Sequence, residues 1–215
     1  METKSVLNAI KQIKSDNKQR KFTQRYDLII SLKNFDLKKD KLDFFLDLHN
    51  SIGKARKICA LVAGELSDQA KKVCDSTVIL DDFEKYLSNK ASLRKLAEQN
   101  DYFIAQANIM PKIAQSFGKV LGSRGKMPNP KAGCVVPPNT NLEQIKEKLQ
   151  KRIRVQATKA AIVQCVVGSE NQSDEEVADN VVTLYKALLT NLPLQENNIK
   201  KTYLKFTMGK PVEVK

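Results

Sequence analysis

The chain has one histidine, His49, and only four cysteines, and neither type is placed to hold a metal. No second histidine and no H-E-x-x-H pair accompany His49, so neither hydrolytic zinc chemistry nor a Ser-His-Asp triad has the residues it needs. Cys59, Cys74, Cys134 and Cys165 stand far apart without a C-x-x-C pair. Three of them lie in or beside apolar runs, as buried free thiols do. Long apolar runs are also missing. The longest, residues 58–63, falls well short of the roughly 18 needed to suggest a membrane span. The first residues, Met1-Glu-Thr-Lys-Ser-Val, lack the basic start and apolar stretch of a secretory signal. These absences read as a soluble, non-secreted protein without metal or cofactor.

What is present is charge of one sign. The 215 residues carry 37 Lys and Arg against 24 Asp and Glu, a net +13, and only seven of the cations are Arg. Lysine suits phosphate attraction better than bidentate base reading, so the balance points to a nucleic-acid partner, with a well-solvated basic surface as the alternative. Hydrophobic residues at 41% are enough for a packed core. The length fits one large domain or two small ones.

Residues 4–16 place Val6, Leu7, Ile10 and Ile13 on one helical stripe. Tyr26, Leu28, Ile30 and Leu32 then alternate with Asp27, Ile29, Ser31 and Lys33, and Leu42, Phe44, Leu46 and Leu48 alternate with Asp43, Phe45, Asp47 and His49. Period two with one polar face predicts an antiparallel sheet wet on one side. After Gly53 the pattern changes. Residues 58–63 and 102–107 are apolar nearly throughout, as strands covered on both faces must be, and helical stretches near 65–74, 82–88 and 90–99 separate them from a short strand at 78–80. Asp81 is the expected N-cap there. Strands alternating with helices predict parallel β-α-β units in a Rossmann-like layer. Thr140 and Glu143 read as a capping box opening a helix to about 151.

From Arg152 the half-wet signature returns, with strands over 153–157 and 162–167. A capping box at Ser173 and Glu176 opens a helix carrying Val177, Val181, Leu184 and Leu188, and a last strand covers 199–207. The economical reading is a discontinuous α+β domain, 1–55 with 152–215, interrupted by an inserted α/β domain, 56–151. A plain tandem is the alternative. Charge does not choose between them, at +7 for the outer segments and +6 for the middle. Two domains joined by two short crossings should hinge, with Gly53 as the candidate pivot.

No Asp or Glu occurs between Asp101 and Glu143, and within that stretch stands Gly118-Lys-Val-Leu-Gly122-Ser-Arg-Gly125-Lys-Met-Pro128-Asn-Pro130-Lys-Ala-Gly133. A P-loop would need Gly where Val120 stands and Ser or Thr where Met127 stands; G-x-G-x-x-G fails because three residues separate Gly118 from Gly122. Nucleotide-dependent catalysis on the middle domain is therefore the rival reading, with little motif support. The remaining readings are a solvated Gly/Pro-rich surface loop, or a loop that hugs RNA phosphate or a protein neighbour.

This stretch closely resembles the G-x-x-L-G-P-R-G-x-x-P-x-P signature of the ribosomal protein L-one family. Arg20-Lys21-Phe22-Thr23-Gln24 is similar to the family's segment before its first strand. Gly64-Glu65 follows its domain-two opening, residues 159–168 its strand-and-glycine pattern, and Thr207-Met208-Gly209 its C-terminal T-M-G. The resemblance spans nearly the whole chain. It implies two domains of α/β and α+β class: a discontinuous split β-α-β (ferredoxin-like) domain from both termini, and an inserted Rossmann-like three-layer α/β domain.

The resemblance further implies a non-enzymatic constituent of the large ribosomal subunit, binding ribosomal RNA at the mobile lateral stalk near the exit site for tRNA. In some members it implies repression through binding of the protein's own messenger RNA. It implies RNA contacts at Lys21, Phe22, Thr23, Gln24, Lys159, Lys201, Lys205, Thr207, Met208 and Gly209, and a signature loop at Gly118, Lys119, Gly122, Arg124, Gly125, Lys126, Pro128 and Pro130. The free protein is expected to be a monomer. For Phe22 and Met208 the competing expectation is ordinary core packing. Two departures stand out: Ser123 replaces the family's usual Pro, and Lys201 stands where the family often has Ser.

Overall fold

The computed structural model describes residues 2–214 apart from Gln19, Lys38 and Lys159. Helix α1 (Thr3–Ser15) buries Val6, Ala9, Ile10 and Ile13, one stripe of its surface. Strands β1 (Arg25–Leu32) and β2 (Leu42–Asp47) follow. The middle of the chain then supplies β3 (Ile58–Val62), α2 (Ser67–Val73), β4 (Ser76–Ile79), α3 (Phe83–Ser88), α4 (Lys90–Gln99), β5 (Tyr102–Gln106), α5 (Met110–Ser123), β6 (Val135–Val136) and α6 (Leu142–Lys151). The last part holds β7 (Arg152–Ala157), β8 (Ile162–Ser169), α7 (Asp174–Asn191), β9 (Ile199–Phe206) and β10 (Val212–Val214). Two compact units result: Met1–Lys54 with Lys151–Lys215, and Ala55–Gln150.

In the first unit the strands run β10-β9-β1-β8, every pair antiparallel, beside a two-stranded ribbon of β2 and β7. Because β8 and β9 both pair antiparallel with β1, they are parallel to each other with β1 between them, and α7 connects them. That is a split β-α-β unit. The alternation of β1 sets its two faces: Tyr26, Leu28, Ile30 and Leu32 are buried, while Asp27, Ile29 and Ser31 are half exposed. The buried face packs with α1 and α7 around Ile10, Tyr26, Val181, Leu184 and Phe206. Each such apolar side chain contributes roughly 1.5–3 kcal/mol by leaving water. Ser173 caps α7 by accepting the Glu176 amide at 3.3 Å, as its capping box requires. Buried Asn180 on α7 donates to the Val167 carbonyl at 2.9 Å, fixing the helix to β8.

In the second unit the parallel strands run β4-β3-β5-β6, flanked by helices. All five residues of β3 are buried, which is why its sequence shows no polar face. Phe83, Leu93, Ile113, Phe117 and Leu121 from α3, α4 and α5 pack on the sheet through Cys59, Leu61 and Phe103. Two expected caps are corrected. Asp81 lies in a 3-10 turn, Leu80–Asp82, before α3 and caps nothing. Asn141, not Thr140, receives the Glu143 amide at the start of α6, at 2.9 Å.

All four cysteines are free thiols. Burial pushes Cys74 up to about 11 and Cys165 up to about 12, so both stay protonated at neutral pH. His49 is exposed and pairs with Asp179 at 2.8 Å on the surface. Gly53 is not a free pivot. Its φ is +77°, a Cβ there would lie 2.3 Å from the Ser169 Cβ, and Gln172 bonds both Ser51 and Ser169 beside it. The chain is held by the first unit as far as Gly53. On the other side, the Arg56 amide and carbonyl both bond the Gln150 side chain, at 2.8 and 2.9 Å, within the second unit.

Candidate nucleic-acid interface

The segment before β1 and the loop after β9 meet at one end of the antiparallel sheet. Their meeting follows from the register, which sets Tyr26 opposite Phe206 and leaves Gln24 and Thr207 just beyond the last pair. Tyr26 and Phe206 are fully buried with ring centroids 4.4 Å apart, forming the floor of the site. Burial, with Asp174 and Glu170 nearby, pushes the Tyr26 phenol well above its ordinary value, so it stays neutral.

Gln24 is the clamp. Its side-chain carbonyl accepts the Met208 amide at 3.3 Å, its Nε2 donates to Asn17 Oδ1 at 2.9 Å, and its backbone N–H reaches Glu170 at 3.2 Å. It is wholly buried, so its expected role as an RNA contact is corrected: it positions the loop and has no surface to offer. Thr207 is tied as well. Its hydroxyl accepts the Arg25 amide at 3.2 Å and donates to the Arg25 carbonyl at 3.3 Å, so a partner finds only one lone pair there. Gly209 fits because a Cβ would come 3.1 Å from that of Phe206.

Above this floor two large apolar side chains face water: Phe22 is 51% exposed and Met208 60%. Core packing, the competing expectation for both, is thereby ruled out. Lys21 and Thr23 are exposed beside them. Lys205 sits two residues before the loop, opposite Asp27 in the register. Lys201 is not gathered into this patch. It opposes Ser31 near the other end of β9, about 20 Å from Thr207 at strand rise, and its ammonium lies 3.4 Å from Glu213. That carboxylate and the neighbouring Tyr203 push its pKa up. Lys159 lies outside the described residues. Asn17 and Glu170, which anchor the segment, were not singled out in the sequence; nothing in their spacing marks them.

The signature loop proves to be mostly a helix end. Gly118, Lys119 and Gly122 lie within α5, whose buried Ile113, Phe117 and Leu121 recur every fourth residue. Gly125, at φ +66°, ends it: the Gly125 amide bonds Gly122 O at 3.0 Å and the Lys126 amide bonds Leu121 O at 2.9 Å. Those two bonds make a Schellman motif. Arg124 pairs with Glu98 at 2.7 Å. The Lys126 ammonium donates to the carbonyls of Ala97 and Asn100, at 2.8 and 2.7 Å, and so closes the end of α4. Pro128 is buried, and Pro130 opens a short 3-10 turn capped by Asn129. Of the cations in this loop, two are therefore engaged in holding the unit together. Nor is the sheet's switch point, between β3 and β5, prepared for a dinucleotide. Buried Gln106 bridges it, accepting the Ala63 amide at 2.9 Å.

Comparison with known proteins agrees with this arrangement. Residues 10–210 match the Ribosomal protein L1p/L10e family. The chain is 38% identical over 212 residues to large ribosomal subunit protein uL1 of Nanoarchaeum equitans, covering 96% of this chain and 99% of the relative. Its identity to the same protein of Pyrococcus abyssi is 38% over 213 residues, 98% of this chain and 95% of the relative. For Methanothermococcus thermolithotrophicus it is 36% over 216 residues, 100% and 99%. With end-to-end similarity of this kind and a split β-α-β unit carrying a parallel α/β insertion, the chain belongs to the Ribosomal protein L1p/L10e family, whose members are structural ribosomal proteins and not enzymes.

Proposed function

We propose that this chain is a constituent of the large ribosomal subunit, acting in the cytoplasm, and that it grips ribosomal RNA at the lateral stalk with the patch around Phe22 and Met208. The observation that carries the reading is the Gln24–Met208 bond, which holds two exposed apolar side chains on a fixed frame amid cations. Folded RNA is recognised by shape, unstacked bases and backbone, and this patch supplies apolar surface, a close-approach glycine and Lys21 for those features. The net +13 adds attraction for phosphate that does not depend on sequence. The chain works there as a single copy.

From the stalk the protein meets tRNA leaving through the exit site. The same patch serves a similar structure in the protein's own messenger, whose occupation represses translation, because a surface that reads RNA shape accepts any RNA presenting that shape. The test is the identity of RNA that co-purifies after mild lysis. Large-subunit fragments are expected, and enrichment of the protein's own messenger supports the repressor role. Absence of any RNA at low salt refutes the reading.

A further inference from the structure

We propose that Asn17 and Glu170 are positioning residues for RNA recognition. Together they set which way round the buried Gln24 amide lies, and through it the place of the Met208 backbone in the loop after β9. The inference deepens the proposed function above and rests on it. An amide side chain has nearly the same shape either way round, so its hydrogen-bond neighbours alone decide which end is oxygen and which is NH2. Gln24 turns its oxygen to the Met208 N–H, and a reversed amide would set donor against donor there. The orientation has to be held from the other end.

The register brings the parts together. Arg25 pairs with Ser169 at the end of the β1–β8 ladder, so Gln24 and Glu170 stand next to each other beyond it, and the Glu170 N–H donates to the Gln24 carbonyl at 2.9 Å. Asn17 stands just past the C-cap of α1. From here the bonds run in one direction. The Met208 N–H donates to Gln24 Oε1 at 3.3 Å, Gln24 Nε2 donates to Asn17 Oδ1 at 2.9 Å, and Asn17 Nδ2 reaches Glu170 Oε1 at 3.5 Å. The other carboxylate oxygen of Glu170 accepts the Gln24 N–H at 3.2 Å. A carboxylate only accepts, so it has no reversed form. It makes Asn17 present NH2 to itself and oxygen to Gln24, and Gln24 in turn present oxygen to Met208. Gln24 is fully buried, so an unmatched group beside it has no water to turn to. An anion beside an RNA site opposes phosphate, so the contribution of Glu170 lies in its two acceptors and not in its charge.

The test compares Glu170→Gln, Asn17→Leu and the double variant Asn17→Asp/Glu170→Gln in the full, isotope-labelled chain. Glu170→Gln leaves one acceptor where there were two, so the chain of amides is free to reverse. The double variant restores the direction at unchanged net charge, because the carboxylate moved to position 17 accepts from both neighbouring amides. The Met208 amide signal of the free protein reads the loop, and filter binding to a large-subunit RNA stem and a scrambled stem reads specificity. In both single variants the Met208 signal should move and the cognate-to-scrambled ratio should fall about fivefold or more, and in the double variant both should return to the parent values. A role through charge alone makes the opposite demand of Glu170→Gln: with an anion removed, both RNAs bind tighter at an unchanged ratio. That result, an unmoved Met208 signal in folded single variants, or a folded double variant without recovery overturns the relay. Asn17 is only half-buried, so Asn17→Leu carries the test where Glu170→Gln does not fold. A parent chain that binds both stems equally removes the function beneath and leaves the Met208 signal to decide the relay.

Discussion

The side-chain carbonyl of Gln24 accepts the backbone amide of Met208 at 3.3 Å, joining residues 184 positions apart in the chain. Because Gln24 is fully buried, it influences a partner only through the shape it imposes on the loop. Gln24→Ala should leave the Met208 amide and Asn17 without their partner and cost about 1–3 kcal/mol in urea denaturation. RNA affinity should fall with it, at an unchanged salt slope, since no cation is lost. Full stability in Gln24→Ala would contradict the clamp.

Lys21 is exposed beside Phe22, and the proposed function has it meet phosphate without reading sequence. Lys21→Gln should weaken cognate and scrambled RNA alike and flatten the plot of log K against log salt by about 0.7–0.9 per lost phosphate contact. A loss confined to the cognate RNA would assign Lys21 a specific contact.

Lys126 lies in the signature loop, for which the sequence left open a solvated surface or a contact with RNA phosphate or a protein, yet its ammonium bonds the carbonyls of Ala97 and Asn100. Lys126→Met keeps the stem and removes both bonds, so a loss of about 1–3 kcal/mol is expected by thermal or urea unfolding. RNA affinity and salt slope should not move. A changed slope with unchanged stability would return Lys126 to the RNA.

Asp27 gives the fold a pH dependence. Burial raises its carboxyl above the unfolded value of 3.8, so the protonated form is favoured in the folded chain. That stabilisation is full below pH 3.8 and is lost as pH rises through the folded value. At neutral pH the ionised group is a net cost, so Asp27→Asn should be more stable than the parent at pH 7, by a margin that shrinks in acid. Urea midpoints at the two pH values measure it, and an Asn variant no more stable at pH 7 would contradict it.

The sequence revealed the sheets where burial leaves a simple pattern. Strict alternation in β1 and unbroken burial in β3 were both legible, as was the Ser173 cap. It hid elements too short for a period, such as β6 and the three-residue β10 after Pro211. Helix α5 was misread for another reason: Gly118, Gly122 and the cations drew attention from the fourfold spacing of Ile113, Phe117 and Leu121, a signal that was present. At the site, the family resemblance located Phe22 and Met208 but could not reveal that Gln24 is buried, or that the exposed Thr207 spends its hydroxyl on the Arg25 backbone. That depends on which backbone amides the register brings within reach, and β1 and β9 are far apart in the chain.

The central claim is that Phe22 and Met208 form one exposed surface that grips a specific RNA. Salt-titrated filter binding of Phe22→Ala/Met208→Ala to a large-subunit RNA stem and a scrambled stem tests it most directly. Both side chains are more than half exposed, so stability should change by no more than about 0.5 kcal/mol for each. The account predicts that the cognate-to-scrambled ratio falls at least about tenfold, roughly 1.4 kcal/mol, with the salt slope preserved. An unchanged ratio in a folded variant would contradict it and move the specific contact away from this patch.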